Sequence, residues 1–325
     1  MTHLPTLPLA KSAIDRDATQ RLNSSLFEEL AADATTRVLP VFDGKVLLQS
    51  DAVAGAGSTN IAIFPMDAVP DFEYQVYLGR IARNAIGAEA DGKVPGAAVI
   101  LRVLNQEHAA VLNPDRDSWR NLRRAVSALT DLDAGLWTQS LAISNWHATH
   151  VFCPHCGAPT EIAQAGWSRR CPVDDRQVFP RTDPAIIVAV TDDADRLLLG
   201  SQGAWESNRW SVLAGFVEAG ESLNSAVARE VLEESGIHVT DIEFLGSQPW
   251  PFPYSLMFGF KAKAHAGQEL VPDGDEIAKL RWISRAELVA EASEMLLPGP
   301  LSIARALIEN WLGHSLDELT SGQPR

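Results

Sequence analysis

Residues 215–237 read GFVEAGESLNSAVAREVLEESGI and place Glu230, Glu233 and Glu234 within about one turn of helix, beside Arg229. At about 100° per residue the three glutamates fall within an arc of about 100°, so they form one acidic patch. Like charges at i, i+4 destabilise an isolated helix, and a solvated charged face is the usual explanation for a charge run. Two neighbouring features favour chemistry instead. The helix follows LAGFVEAGE, a glycine-containing loop that can bring backbone carbonyls close to a ligand. Clustered oxygens are also what hard divalent cations such as Mg²⁺ or Mn²⁺ require, and a cation would relieve the repulsion. A softer cluster lies upstream: the three cysteines, Cys153, Cys156 and Cys171, fall within nineteen residues. An odd number so closely spaced points to a local metal site, not a disulfide framework.

The elements that must position these groups are legible in outline. Ser222 is an N-cap and Gly236 a C-terminal stop for a helix over 222–235. The segments AIIVAV, RLLLGS, WSVLAGFVE, SLMFGFKAKA and KLRWIS read as strands, and residues 301–313 as a second helix. Residues 1–145 alternate short apolar runs with Gly, Asp and Asn breaks, as expected of a small sheet-rich domain with a structural or dimerisation role. That region closes on a helix around LWTQSLAISNWHATH, where Leu136, Trp137, Leu141 and Trp146 share an apolar face. The expected organisation is an N-terminal α+β domain over 1–145, a cysteine segment over 146–180 and a third domain over 181–318, with a frayed tail TSGQPR.

Bulk properties narrow the function. The chain has 325 residues, enough for two domains, with 46% hydrophobic and 21% charged residues, an ordinary globular composition. No window approaches about eighteen consecutive apolar residues, so a membrane span is not expected. The start, MTHLPTLPLAKSAIDRD, lacks a basic opening and a long apolar run, and reads as a lead-in, with the cytoplasm as the expected address. A net charge of −15 and a pI near 4.9 argue against a broad electrostatic grip on nucleic acid. A small anion can still bind where metal ions screen it.

The acidic stretch resembles the Nudix box, G-x5-E-x7-R-E-U-x-E-E-x-G-U, without exception: Gly215, Glu221, Arg229, Glu230, Val231, Glu233, Glu234, Gly236 and Ile237 fill its specified positions. The resemblance implies a Nudix α/β/α sandwich with a mixed sheet, and hydrolysis of a nucleoside diphosphate linked to another group. It makes Glu230 and Glu234 metal ligands, assisted by the backbone carbonyl of Ala214. Arg229 then orients the glutamates, and Glu233 is a further ligand or positions the water. Physically, splitting a pyrophosphate requires neutralising adjacent anions and orienting a water, which carboxylate-held metals can do. The general base is left open.

A second motif, SQPWPFPYS at 247–255, fixes the backbone with three prolines in five residues and presents Trp250 and Phe252 as flat apolar surfaces. A rigid turn with core aromatics would look the same. The pattern S-Q-P-W-P-F-P-x-S resembles the signature of the NADH pyrophosphatases within the Nudix superfamily, with Tyr254 at the variable position. By that resemblance Gln248, Pro249, Trp250, Pro251, Phe252, Pro253, Tyr254 and Ser255 line a dinucleotide site. Phe179 and Phe216 are implied as aromatic contacts, Ala304 as a substrate contact and Glu276 as a further metal ligand.

The same family carries a Cys₄ zinc ribbon built from two C-x-x-C pairs. Here the fourth position is Asp174, a departure from the pattern. Three thiolates and a carboxylate can still hold zinc tetrahedrally; His150 or His155 could instead complete the site, and a metal-free ribbon is the alternative. Any zinc is expected to be structural.

The resulting expectation is a metal-dependent hydrolase that converts NADH or NAD⁺ to nicotinamide mononucleotide and AMP. Removal of the NAD cap from RNA 5′ ends is the expected second activity, and the resemblance implies a homodimer. The alternatives are a Nudix hydrolase for another diphosphate, such as ADP-ribose or a nucleoside triphosphate, and a non-catalytic nucleotide sensor. A pure zinc-ribbon nucleic-acid module is disfavoured by the charge.

Overall fold

The structure is a computed structural model that describes residues 4, 7–49, 60–83, 93–125 and 129–320. Most of the expected C-terminal tail, residues 321–325, lies outside the described residues. The chain divides into two compact units: Pro8–Thr182 with Trp250–Tyr254, and Met1–Leu7 with Asp183–Pro249 and Ser255–Arg325.

In the first unit the apolar runs become strands, as their alternation with Gly and Asp breaks predicts. They are β1 (Ile14–Asp15), β2 (Arg37–Phe42), β3 (Val46–Gln49), β4 (Asn60–Ile61), β5 (Tyr74–Ile81), β6 (Ala98–Leu104) and β7 (Trp119–Arg120). A four-stranded sheet runs β1-β5-β6-β2, with β2 and β6 parallel and β5 and β6 antiparallel. Its central residues Val76, Leu78, Val99 and Leu101 are fully buried. Three short helices accompany these strands: α1 (Leu26–Ala32), α2 (Gln106–Leu112) and α3 (Leu122–Ala125). Leu26 and Leu30 of α1 pack on Tyr77, Ala98 and Ile100.

The long helix α4 (Asp131–Thr149) starts where Thr130 accepts a hydrogen bond from the Asp133 amide at 3.2 Å. Leu136, Trp137, Leu141 and Trp146 are buried as expected, but so are Asp133, Thr138, Gln139, Ser140, Ser144 and His147 on its other faces. The polar residues are mostly accommodated by specific partners. Asp133 pairs with buried Lys93 at 2.9 Å and accepts from the Ile61 amide at 3.1 Å, and Gln139 donates to the Leu78 carbonyl at 2.8 Å. The apolar residues of α4 are thus spent inside the unit. The cysteine segment follows as a small antiparallel sheet of β8 (Glu161–Ala163), β9 (Ser168–Arg170) and β10 (Gln177–Val178), in the order β10-β9-β8.

The second unit is built on β11 (Asp183–Thr191), β12 (Leu197–Gln202), β13 (Leu213–Phe216), β14 (Val239–Trp250, which ends in the other unit), β15 (Ser255–Ala264) and β16 (Ile277–Ile283). The strand order is β14-β15-β11-β12-β16, with β13 paired to β11. β11 runs parallel to β15 and antiparallel to β13, so the sheet is mixed. Its helices are α5 (Leu223–Ser235), α6 (Arg285–Glu291), α7 (Ile303–Leu312) and α8 (Leu316–Thr320). One face buries Ile186, Val188, Val190 and Phe260 against Ala226, Val227 and Val231 of α5. On the opposite face a Cβ at Gly259, the register partner of Ile187, would lie 2.9 Å from Ile303 of α7. Helices therefore cover both faces, the α/β/α sandwich expected. β14 is longer than the short strand expected and takes in the first four residues of SQPWPFPYS.

Candidate active site and zinc-type centre

The acidic site forms where β13 hands over to α5. Ser222 caps the helix, accepting from the Ser225 amide at 3.2 Å, and Gly236 ends it in the left-handed conformation, φ 71°. Arg229 ties the box together. Its guanidinium meets both oxygens of Glu221 at 2.9 Å, Glu230 Oε1 and Glu233 Oε2 at 2.9 Å, and the Phe216 carbonyl at 2.9 Å. The Glu221 contact is the bidentate fork that arginine alone provides. It raises the pKa of Arg229 and lowers that of Glu221, so the fork is ionised throughout. Arg229 thus contacts Glu221, Glu230 and Glu233 at once.

Glu234 is the contrast. It is 4% exposed, and among the described residues its Oε2 has no hydrogen-bond partner. Its pKa is pushed up to about 8, first by desolvation and then by the charges of Glu230, Glu276 and Asp273, with the backbone of Ala214 pulling it down. Glu230 is also raised, again first by burial. A buried carboxylate oxygen without a partner, among further carboxylates, is a costly arrangement that a divalent cation relieves. The donor set therefore fits a hard cation.

The structure brings Glu276 close enough to act on both Glu230 and Glu234, although it enters from the loop before β16. Asp273 belongs to the same acidic neighbourhood and was not singled out in the sequence. Its only signal was its place in DGDEI, and its Oδ1 accepts from the amides of Asp275 and Ile277 at 3.0 and 2.8 Å. Phe216 is 60% exposed beside the box. Gln248 is fully buried and donates to the Leu301 carbonyl at 2.7 Å, ahead of the buried Ala304 in α7.

In the other unit, the prolines of the 250–254 segment form a fixed turn. Asn145 of α4 donates to the carbonyls of Pro251 and Pro253 at 3.0 and 3.2 Å. Trp250 and Phe252 meet edge to face at 5.2 Å, with the Arg123 guanidinium 4.1 Å from the Phe252 ring centre. The Tyr254 hydroxyl bonds Thr149 at 2.5 Å. Phe179 is 59% exposed.

The cysteines close on a second centre. Ligand atoms of Cys153, Cys156, Cys171 and Asp174 all lie within 4.8 Å of one another. The Gly157 amide returns to the Cys153 carbonyl at 2.9 Å and the Asp175 amide to the Cys171 carbonyl at 3.0 Å, two matching tight turns. Asp174 occupies the fourth corner. Its Oδ2 lies 3.6 Å from Cys153 Sγ and accepts from or pairs with His155 Nδ1 at 2.9 Å, while its Oδ1 accepts from the Arg176 amide at 3.1 Å. The Cys171 thiol first, and these neighbours with it, hold Asp174 down to about 2, ionised at any physiological pH. His155 sits behind the carboxylate, and His150 is engaged by Thr149 at 2.9 Å. Neither histidine joins the cluster; three sulfurs and one oxygen suit zinc.

The NUDIX domain family matches residues 181–303, and the NADH pyrophosphatase zinc ribbon domain matches residues 148–179. An NAD-capped RNA hydrolase, NudC, of Mycobacterium bovis is 40% identical over 300 residues, covering 87% of this chain and 85% of that protein. The NAD-capped RNA hydrolase NudC of Mycobacterium tuberculosis is 39% identical over the same length, with the same shares of each chain. The human NAD-capped RNA hydrolase NUDT12 is 35% identical over 202 residues, 58% of this chain and 44% of that one. An intact glutamate box fixed by one arginine, a Cys₃Asp ribbon and these likenesses agree: the chain belongs to the Nudix hydrolases, in the family of the NudC-type NAD-capped RNA hydrolases with an NADH pyrophosphatase zinc ribbon.

Proposed function

We propose that this protein hydrolyses the diphosphate bond of NADH and NAD⁺ to nicotinamide mononucleotide and AMP, and removes the same nucleotide cap from RNA 5′ ends. The observation that carries the reading is the buried, unpartnered Oε2 of Glu234 beside Glu230 in a complete box. The activity of the relatives and the intact SQPWPFPYS segment support the substrate.

Glu230, Glu234 and the Ala214 carbonyl would hold Mg²⁺ or Mn²⁺, with Glu276 as a further ligand. The bound ion supplies charge neutralisation of the diphosphate and activation of water. Arg229 keeps Glu230 and Glu233 in fixed rotamers, so the ligand oxygens need no reorganisation when substrate arrives. Glu233, held by Arg229 yet facing solvent, is placed to orient the attacking water. Water adds across the P–O–P bridge: a new P–O bond forms, the bridging P–O bond breaks, and two monophosphates leave. Phe179, Phe216, Ala304 and the 248–255 segment are the proposed substrate contacts.

Zinc on Cys153, Cys156, Cys171 and Asp174 is proposed as structural. The reading includes a cytoplasmic homodimer; the exposed Phe152, Val173 and Phe179 of the ribbon support self-association, which light scattering tests. Among the described residues no helix is long and apolar enough to cross a membrane.

The test follows NADH, NAD⁺, ADP-ribose and NAD-capped RNA by product chromatography, with Mg²⁺ or Mn²⁺ and with chelator. Metal-dependent AMP and reduced nicotinamide mononucleotide from NADH support the reading. Cleavage of ADP-ribose with NADH inert would leave the box chemistry standing and overturn the substrate.

A further inference from the structure

A cleft of about 340 Å³ in the first unit lies between residues 21–27 and residues 162–166. That volume is at the lower end of the range for small-ligand sites. One side carries Arg21, Asn23 and Ser24, and an apolar wall is supplied by Leu22, Phe27 and Ile162. Leu22 is 75% exposed, a large apolar side chain left in water at the cleft mouth.

Acidic and basic groups both stand at this cleft: Asn23 on its wall donates to both oxygens of Glu29 at 3.1 Å, and two arginines gather on one ring. Arg21 stacks its guanidinium 4.0 Å from the Trp167 ring centre, and Arg16 approaches the same ring at 5.6 Å. Two cations therefore share one indole. The chain has 42 acidic residues against 27 basic ones, yet among the described residues neither arginine makes an ion pair. Asp17, whose charge acts on Arg21, is also engaged by the Tyr77 hydroxyl at 2.8 Å and by Arg80 at 3.4 Å. Arg21 donates Nη2 to the Arg16 carbonyl at 3.3 Å, and among the described residues its buried Nε has no partner. Its pKa is lowered, first by desolvation and then by the charge of Arg16. Like charges drawn together and partly dried, with donors unspent, are stabilised by an anion.

The opposite wall is held rigidly. Gln164, Ala165 and Gly166 take three successive positive φ values of 49°, 49° and 96°. A Cβ at Gly166 would lie 2.6 Å from Val76 Cγ2, so this turn is pressed against β5. Trp167 Nε1 donates to the Tyr77 carbonyl at 2.6 Å, and His147 Nε2 bonds the Gly166 carbonyl at 2.8 Å. Non-glycine residues kept in the left-handed region by their surroundings cluster at ligand sites.

We propose that this cleft binds a nucleoside monophosphate, with its phosphate on Arg21 under the added charge of Arg16 and its ring system against Leu22, Phe27 and Ile162. Arginine's planar donors match a phosphate, and the apolar wall rewards a ligand that carries a ring as well. The cleft and the glutamate box belong to different units of the chain, and the proposal does not depend on which diphosphate that box cleaves.

The test measures binding of AMP, adenosine and inorganic phosphate to the full-length protein by calorimetry, with no Mg²⁺ or Mn²⁺ added and no chelator, so that the cysteine centre beside the cleft is left undisturbed. Wild type should bind AMP at least tenfold more tightly than either fragment. Arg21→Gln should weaken AMP binding at least tenfold while NADH hydrolysis in Mg²⁺ stays unchanged. Ser24→Asp, at an exposed position on the cleft, gives the same loss without touching the Trp167 stack. AMP affinity unchanged in both variants would overturn the site, and equal affinity for phosphate and AMP would overturn the nucleotide. Loss of NADH hydrolysis in wild type concerns the box alone, so the two readings fail separately.

Discussion

The carboxyl group of Glu230 occupies the volume that a side chain at position 215 would need: a Cβ built on Gly215 would lie 2.0 Å from Glu230 Cδ and 2.2 Å from both its oxygens. The glycine that opens the box is therefore required by the glutamate fifteen residues later in sequence, across β13 and α5.

Gly215→Ala should consequently displace the Glu230 carboxylate and leave the fold intact, because the three atoms nearest the intruding methyl all belong to the end of that one side chain. A shift of about 1 Å at a catalytic ligand costs on the order of 100-fold in rate. The expected result is a kcat on NADH lowered by about that factor with an unchanged circular dichroism spectrum. A variant as active as wild type would show that Glu230 can move without consequence.

Glu234 supplies a prediction in which stability and activity move oppositely. Its folded pKa of about 8 lies above the ordinary value of 4.5. The metal-free folded state therefore holds the proton more tightly than the unfolded chain. Its contribution is fully present below pH 4.5 and is lost as pH rises through about 8. At about 1.4 kcal/mol per pKa unit the loss is up to about 5 kcal/mol, an upper figure for a group coupled to several carboxylates. In chelator at pH 8, Glu234→Gln should melt higher than wild type and should have lost turnover. Stabilisation of wild type by Mg²⁺ or Mn²⁺ should grow over the same pH interval.

How much of this was legible in the sequence follows from where the groups sit along the chain. Glu230, Glu233, Glu234 and Arg229 share one helix, so helical periodicity alone gathers them on one face. Asp273 reaches the same cluster only through the β16 side of the sheet, and no local period links it to α5. Helix α4 read as a helix with one apolar face, yet it is buried on nearly every side. Its Asp133 and Gln139 are satisfied by Lys93 and Leu78, partners far away in sequence. The Cys₃Asp centre was half legible: spacing marked the thiols, while the choice between Asp174 and a histidine needed the fold of the two turns.

Asp174 makes that choice testable. Asp174→Ala should release zinc to a chromogenic chelator at least ~10-fold faster than wild type, the scale of change expected for a lost or loosened ligand. Asp174→Cys, which restores four sulfurs, should release it more slowly than wild type. Equal release from all three proteins would mean that the carboxylate is no ligand.

His147 sets an acid limit. It is 2% exposed, its Nδ1 faces Arg169 Nη1 at 3.1 Å, and its Nε2 bonds the Gly166 carbonyl. Desolvation first, with the Arg169 charge assisting, lowers its pKa from 6.5 to about 4. The unfolded chain then binds the proton more readily, so stability present above pH 6.5 is lost as pH falls towards 4, by about 3 kcal/mol. Urea midpoints between pH 7 and pH 4 should fall steeply in wild type and less steeply in His147→Gln. Parallel slopes would assign the acid sensitivity to other groups.

The burial of α4 on nearly all sides has a consequence for how such a chain can vary. A helix with an outward face can drift one residue at a time, because solvent forgives the exposed positions. Here even Gly135 has no room: a Cβ would come within 2.8 Å of the Lys11 carbonyl. Most single replacements along 131–147 must therefore be answered by a second change in the element they press against. Diversification of this domain has to proceed in matched steps, a slower route than the one open to its surface loops.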